Sequence, residues 1–272
     1  MHYFSRTVVI SYLYHNEFGY FSLNPIDKAL IELPVIEDDS QINNAIVDYS
    51  PTSVHMLDTI VEELSVLGCK ALELRYYYQL PLDELKRALM ITARSSIEKV
   101  EVCVEKSVEF KLETLVALKE AFPKLSKLTL SNALENVIYK HDGLVIISTT
   151  EIIRSENKCG VTGDSYCIAE HRLYWESMYY NNCLYKKIAI DKEGYIKNCP
   201  SMKERYGHVT ETTLTSVVQS DAFRKYWEIT KDKIEVCSQC ELRYVCQDCR
   251  AYTIETGNPY SKPLKCRYDP RK

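Results

Sequence analysis

From residue 42 onward, short apolar runs alternate with longer amphipathic ones. INNAIVDY at 42–49 has the character of a strand, and the stretch after it places Val54, Leu57, Ile60, Val61, Leu64 and Leu67 on one helical face. Ser50 and Pro51 read as the cap and first residue of that helix, and Gly68 as its end. KALEL at 70–74 reads as the second strand, Leu82, Leu85 and Leu89 after Pro81 as the second helix, and KVEVCVE at 99–105 as the third strand. A third helix carries Leu112, Leu115, Val116 and Phe122 up to Pro123, and strands follow at 127–131 (KLTLS) and 144–149 (LVIIST). Strands recurring about every 27 to 29 residues, with helices between them, imply parallel neighbours joined by right-handed crossovers. The expected fold is α/β: an incomplete (β/α) barrel-like parallel sheet over 42–150.

The rhythm stops on both sides of that region. Residues 1–41 alternate aromatic and β-branched residues with polar ones, a strand-rich N-terminal segment that ends in the acidic loop EDDS. Residues 151–272 form a second, cysteine-rich domain of short elements with one helix-like run over about 212–230. Within it, YKKIAID and YIKNC flank the turn signal Asp191, Lys192, Glu193, Gly194. A β-hairpin over 185–199 is predicted, and it brings Cys183 and Cys199 together near its open end.

The chain has 272 residues, 46% hydrophobic and 26% charged, enough apolar surface for a real core. A net charge of -4 supplies no basic field of the kind nucleic-acid binding requires. No run approaches the roughly 18 apolar residues of a membrane span, and the N-terminus lacks the features of a signal peptide. A cytoplasmic location is expected. Eleven cysteines, an odd number in a reducing compartment, then argue for metal ligation by a subset rather than a disulfide framework.

Cys237, Cys240, Cys246 and Cys249 follow the spacing C-x2-C-x5-C-x2-C. Four thiolates suit either a tetrahedral zinc or an iron–sulfur cluster. Zinc ribbons separate their pairs by about 15 to 20 residues, whereas the link here is too short for easy convergence on one ion. The block is expected to serve two sites, with Cys183, Cys199 and Cys266 as additional ligands. Cys69 and Cys103, at a helix-to-strand junction and inside a strand, read as small buried hydrophobes.

Cys183, Gly194 and Cys199, then the C-x2-C-x5-C run, a further cysteine and the late Cys266, resemble in order the SPASM domain. That domain follows the catalytic barrel of many radical S-adenosylmethionine peptide-modifying enzymes and binds auxiliary four-iron clusters. NNCLYKKIAIDKEGYIKNCPSMKERYG, the DCRAY segment and ELSVLGCKALELR resemble one subgroup, the SPASM-domain peptide maturases of grasp-with-spasm systems, found in bacterial natural-product cassettes. The resemblance implies a precursor peptide and an ATP-grasp peptide ligase as partners. It also implies that a leader-binding segment of fuller relatives is missing or altered at the N-terminus. By position, it implies one [4Fe-4S] cluster on Cys237, Cys240, Cys246 and Cys266. A second would use Cys183, Cys199 and Cys249, with Cys167 as fourth ligand and Cys159 or His171 as alternatives.

The radical-generating motif C-x3-C-x2-C does not occur, and the corresponding loop reads VDYSPTSVH. S-adenosylmethionine chemistry is not expected, and no catalytic residue is identified. The run RYYYQL places Tyr76, Tyr77 and Tyr78 where they could contact a peptide, although such aromatics more often pack inside a structure. Three readings compete: a maturation protein with one or two clusters, an iron–sulfur electron-transfer protein or oxidoreductase, and a zinc-stabilised peptide-binding module.

Overall fold

The computed structural model describes residues 39–159, 162, 167 and 171–271, so the N-terminal strand-rich segment lies outside the described residues up to residue 38. The chain divides into two compact units. One comprises Asp39–Glu156 and Lys186–Phe223, the other Asn157–Tyr185 and Arg224–Lys272.

The first unit is a mixed α/β structure built on an eight-stranded sheet. Its strands are β1 (Asn44–Tyr49), β2 (Ala71–Tyr76), β3 (Lys99–Glu105), β4 (Leu125–Ser131), β5 (Val137–His141), β6 (Leu144–Ser148), β7 (Lys187–Ile190) and β8 (Ile196–Lys197). Their order is β5-β6-β4-β3-β2-β1-β7-β8, and all neighbours are parallel except β5–β6 and β7–β8. Helices α1 (Leu57–Val66), α2 (Leu82–Ala93) and α3 (Leu112–Ala121) fill the crossovers. They bury Ile60, Val61 and Leu64 from α1, Leu85 and Leu89 from α2, and Leu115 and Leu118 from α3. Each such side chain contributes about 1.5–3 kcal/mol.

Val47, Leu74, Val102, Leu128 and Ile146 stand in register across the sheet, and all are buried. One residue further along, the row on the opposite face is Asp48, Arg75, Cys103, Thr129 and Ile147, with polar groups among its buried members. Cys69 and Cys103 are both buried in this unit.

Three local expectations change. α1 begins at Leu57 rather than at Pro51, because Ser50 and Ser53 close a turn of their own: Ser50 N donates to Ser53 Oγ at 2.8 Å and Ser53 N to the Ser50 carbonyl at 3.1 Å. Val54 consequently leaves the predicted stripe and is exposed. The helix-like run over 212–230 is broken into two short helices, α5 (Leu214–Val218) and α6 (Asp221–Arg224). Between them the Ser220 hydroxyl donates to the Val217 carbonyl at 2.8 Å and accepts from Phe223 N at 3.3 Å. Strand β5 was not anticipated; Asp142 and Gly143, at φ 42° and 74°, turn it back onto β6 in the left-handed geometry that a two-residue hairpin favours.

The second unit holds helix α4 (His171–Tyr179), also unanticipated, and the 3-10 turns Glu156–Lys158, at its border, Lys231–Lys233 and Cys237–Gln239. Among the described residues no helix is long and apolar enough to cross a membrane.

Candidate metal centre

The core of the second unit is built around its cysteines. Tyr174 and Met178 of α4 pack with Leu242, Tyr244, Val245, Cys167 and Cys246, and Cys240 and Tyr268 lie against this cluster. The cysteine loop is folded tightly by local bonds: Cys240 N to the Cys237 carbonyl at 3.0 Å, Arg243 N to the Cys240 carbonyl at 3.2 Å, and Cys246 N to the Leu242 carbonyl at 2.8 Å. Directly before Cys237, Val236 lies at φ 65° and ψ -45°. A β-branched residue there is strained by about 1–3 kcal/mol, the kind of cost that accumulates where surrounding structure fixes a functional loop.

Cys237, Cys240, Cys246 and Cys266 line one cavity, together with Lys231 and Arg243. These four cysteines are the first predicted ligand set. Burial pushes the Cys237 thiol up to about 11 and the Cys240 thiol up to about 12, so a metal centre has to displace their protons to bind them. Among the described residues no group of three or more His, Cys, Asp or Glu side chains is placed to hold a single metal ion. A tetrahedral zinc requires four sulfurs about 2.3 Å from one point, whereas a four-iron cluster takes its thiolates from around a cage. Four cysteines lining one cavity match the number of thiolates that either centre takes.

The charges around the cavity fit an anionic occupant. Lys231 is buried, and its Nζ donates to Cys246 Sγ at 3.4 Å and to the Gln247 carbonyl at 3.2 Å. Burial alone would push this ammonium down, but the neighbouring Cys246 sulfur, Asp248 and Cys237 hold it above the ordinary lysine value. Arg243 is also buried; its Nε donates to Asp232 Oδ1 at 3.0 Å and its Nη1 to the Cys240 carbonyl at 3.0 Å.

Two asparagines hold the segment before Cys183 against this loop. Asn181 Nδ2 donates to Asp248 Oδ2 at 2.6 Å and to the Ile229 carbonyl at 2.8 Å, while its Oδ1 accepts from Cys183 N at 3.1 Å and Leu184 N at 3.0 Å. Asn182 Nδ2 donates to the Cys246 carbonyl at 3.0 Å, and Asp248 N donates to Asn182 Oδ1 at 2.9 Å. Cys183 and Cys249 each directly follow one partner of that last bond. Arg250 orients the same carboxylate: Nη2 donates to Asp248 Oδ1 at 2.8 Å, Nε lies 2.7 Å from Oδ2, and Nη1 donates to the Pro259 and Ser261 carbonyls at 2.8 Å. Asn181, Asn182, Lys231 and Asp248 had no role in the sequence reading. The NNC tripeptide and the acidic residue between Cys246 and Cys249 were the available signals.

The remaining candidates fall in both units. Cys167 forms a β-bridge with Cys246, and the hydrogen bond to that thiol, together with burial, pushes Cys167 up. It therefore stands beside a member of the first ligand set. Cys199 is buried in the sheet unit, at the end of the predicted hairpin that β7 and β8 form, whereas Cys183, Cys167 and Cys249 belong to the second unit. Cys159 is exposed, with its carbonyl accepting from Lys265 Nζ. The side chain of His171 lies outside the described residues. Tyr76 and Tyr77 are buried and Tyr77 OH donates to Asp48 Oδ2 at 2.9 Å, which leaves Tyr78 as the ring of that run with surface to offer.

Gly194 sits in the turn between β7 and β8 at φ 90°, and a Cβ there would lie 2.5 Å from His208 Nε2. That nitrogen is itself held 2.8 Å from the Glu193 carbonyl oxygen, so a side chain at 194 is excluded by both backbone and neighbour.

Residues 182–241 match SPASM, an iron-sulfur cluster-binding domain. No curated protein and no solved structure matches the chain.

Proposed function

We propose that this SPASM-bearing chain is an accessory maturation protein for a ribosomally made peptide, acting with an ATP-grasp peptide ligase while its own iron–sulfur centre stays fully ligated by protein. The observation that carries the reading is the cavity lined by Cys237, Cys240, Cys246 and Cys266, with Lys231 and Arg243 buried around it. These residues would hold a [4Fe-4S] cluster, which when bound supplies electron transfer and a rigid cross-link. Within the second unit, Cys183 and Cys249, with Cys167 or Cys159, are proposed ligands of a second cluster.

The chain's own residues do the rest. Asn181, Asn182 and Arg250 fix Asp248 and the cysteine loop in place, and Lys231 offsets thiolate charge. The loop between β1 and α1, residues 50–56, contains no thiol. The sheet unit is accordingly proposed to bind peptide rather than to cleave S-adenosylmethionine.

Two assays test this. Reduced, cluster-loaded protein incubated with S-adenosylmethionine is expected to yield no 5′-deoxyadenosine above background. The tagged protein is expected to retain a precursor peptide or an ATP-grasp ligase. Turnover-level cofactor cleavage overturns the fully ligated centre. Retention of neither partner, with reducible clusters present, moves the assignment to an electron-transfer protein.

A further inference from the structure

Among the described residues, the charges beneath the cysteine cavity do not balance. Asp248 is 2% exposed and its carboxylate is already engaged by Arg250, at 2.7 and 2.8 Å, and by Asn181 at 2.6 Å. Lys231, 4% exposed, stands 3.9 Å from the same carboxylate, beyond hydrogen-bond range, and directs its Nζ to Cys246 Sγ at 3.4 Å instead. Two buried cations thus share one carboxylate. A buried ammonium lacking an anion costs several kcal/mol, so this arrangement is stable when the sulfur beside it carries negative charge.

We infer that Lys231 donates a charge-assisted hydrogen bond to the Cys246 thiolate of the bound cluster and raises the cluster's reduction potential. This rests on the reading of Cys237, Cys240, Cys246 and Cys266 as cluster ligands. A cluster held by four thiolates is already anionic, and one-electron reduction adds a further negative charge in a low-dielectric site. A fixed cation at the sulfur stabilises the reduced form more than the oxidised form, which moves the potential upward. The donor comes from the 3-10 turn Lys231–Lys233, whose carboxyl-terminal neighbour Ile234 is buried, so the ammonium is delivered by a packed element rather than by a mobile surface arm.

The experiment compares wild type, Lys231→Met, Lys231→Gln and Lys231→Arg, all loaded anaerobically. Iron is counted first, then each is titrated potentiometrically with the cluster signal followed by visible absorbance and electron paramagnetic resonance. The signal belonging to this cavity is the one lost in Cys240→Ala. Lys231→Met is expected to keep its iron and titrate at a more negative potential, Lys231→Gln to fall between it and wild type, and Lys231→Arg to return toward wild type. A wild-type midpoint in Lys231→Met at full iron content overturns the inference. If Lys231→Met loses the cluster, Lys231→Gln decides, and a wild-type midpoint there overturns the inference equally. Absence of iron from the wild type defeats the cluster reading itself, an outcome the midpoints do not produce.

Discussion

Replacing Asp248 by Ala removes the carboxylate on which the cysteine loop is organised. In the folded protein Asp248 is buried, accepts from Arg250 Nη2 at 2.8 Å and Asn181 Nδ2 at 2.6 Å, and lies 2.7 Å from Arg250 Nε. The Arg250 side chain is itself 0% exposed, so the substitution strands a guanidinium that water cannot reach. Breaking a buried pair from one side costs about 3–5 kcal/mol, and the bond lost by Asn181 falls within that figure because its amide keeps the Ile229 carbonyl. Against a typical total of about 5–15 kcal/mol, this is a large share of the stability. With a urea dependence of about 2 kcal/mol per molar, a loss near 4 kcal/mol lowers the unfolding midpoint by about 2 M. The assay is urea unfolding of metal-free and loaded protein, followed by circular dichroism and tryptophan fluorescence. The double variant Asp248→Leu/Arg250→Met should recover much of the loss, since replacing both partners of a buried pair by apolar groups is often nearly neutral. A loss below about 1 kcal/mol in Asp248→Ala, or a double variant no more stable than the single one, would refute the argument.

Asp48 supplies a pH prediction. Burial raises its carboxyl from 3.8 to about 7, against the lowering effect of Arg75 and the hydrogen bond from Tyr77. The folded state therefore holds a proton that the unfolded state releases, and the stabilisation this gives is complete below about pH 4 and lost as pH rises through about 7. Its full size is about 4 kcal/mol. The unfolding free energy of Asp48→Asn relative to wild type should increase between pH 5 and pH 8, and a difference independent of pH would contradict the assignment. Gly194→Ala should destabilise the protein by about 1–3 kcal/mol in a thermal melt, because φ is 90° and His208 occupies the space of the new methyl; an unchanged melt would show that the turn can relax.

Periodicity read the parallel sheet well because a buried strand and an amphipathic helix both repeat their apolar residues over many positions. KVEVCVE and the helix after Pro81 appear at the predicted residues. It failed where a few local hydrogen bonds outweigh pattern, as at Ser50 and Ser53, which delay α1, and at Ser220, which helps divide the 212–230 run. The hairpin of β5 and β6 depends on two left-handed residues, Asp142 and Gly143, inside a stretch too short for periodicity to resolve. In the metal centre, the resemblance to the SPASM domain implied the four cysteines that line the cavity, whereas their spacing alone indicated only a block shared between two sites. The groups that position them, Asn181, Asn182, Lys231 and Asp248, are distant in sequence from their partners or lie between ligands, and a single polar residue in a loop carries no period by which to recognise it.

The central claim is that Cys237, Cys240, Cys246 and Cys266 hold an iron–sulfur cluster, and the most direct measurement is the iron, acid-labile sulfide and zinc content of anaerobically isolated protein. The wild type is predicted to contain about four irons and an equal amount of sulfide per occupied site. Cys240→Ala should lose the share belonging to this cavity, and Cys103→Ala, altered within the sheet, should lose none. Stoichiometric zinc without sulfide, or equal iron loss in the two variants, would contradict the account.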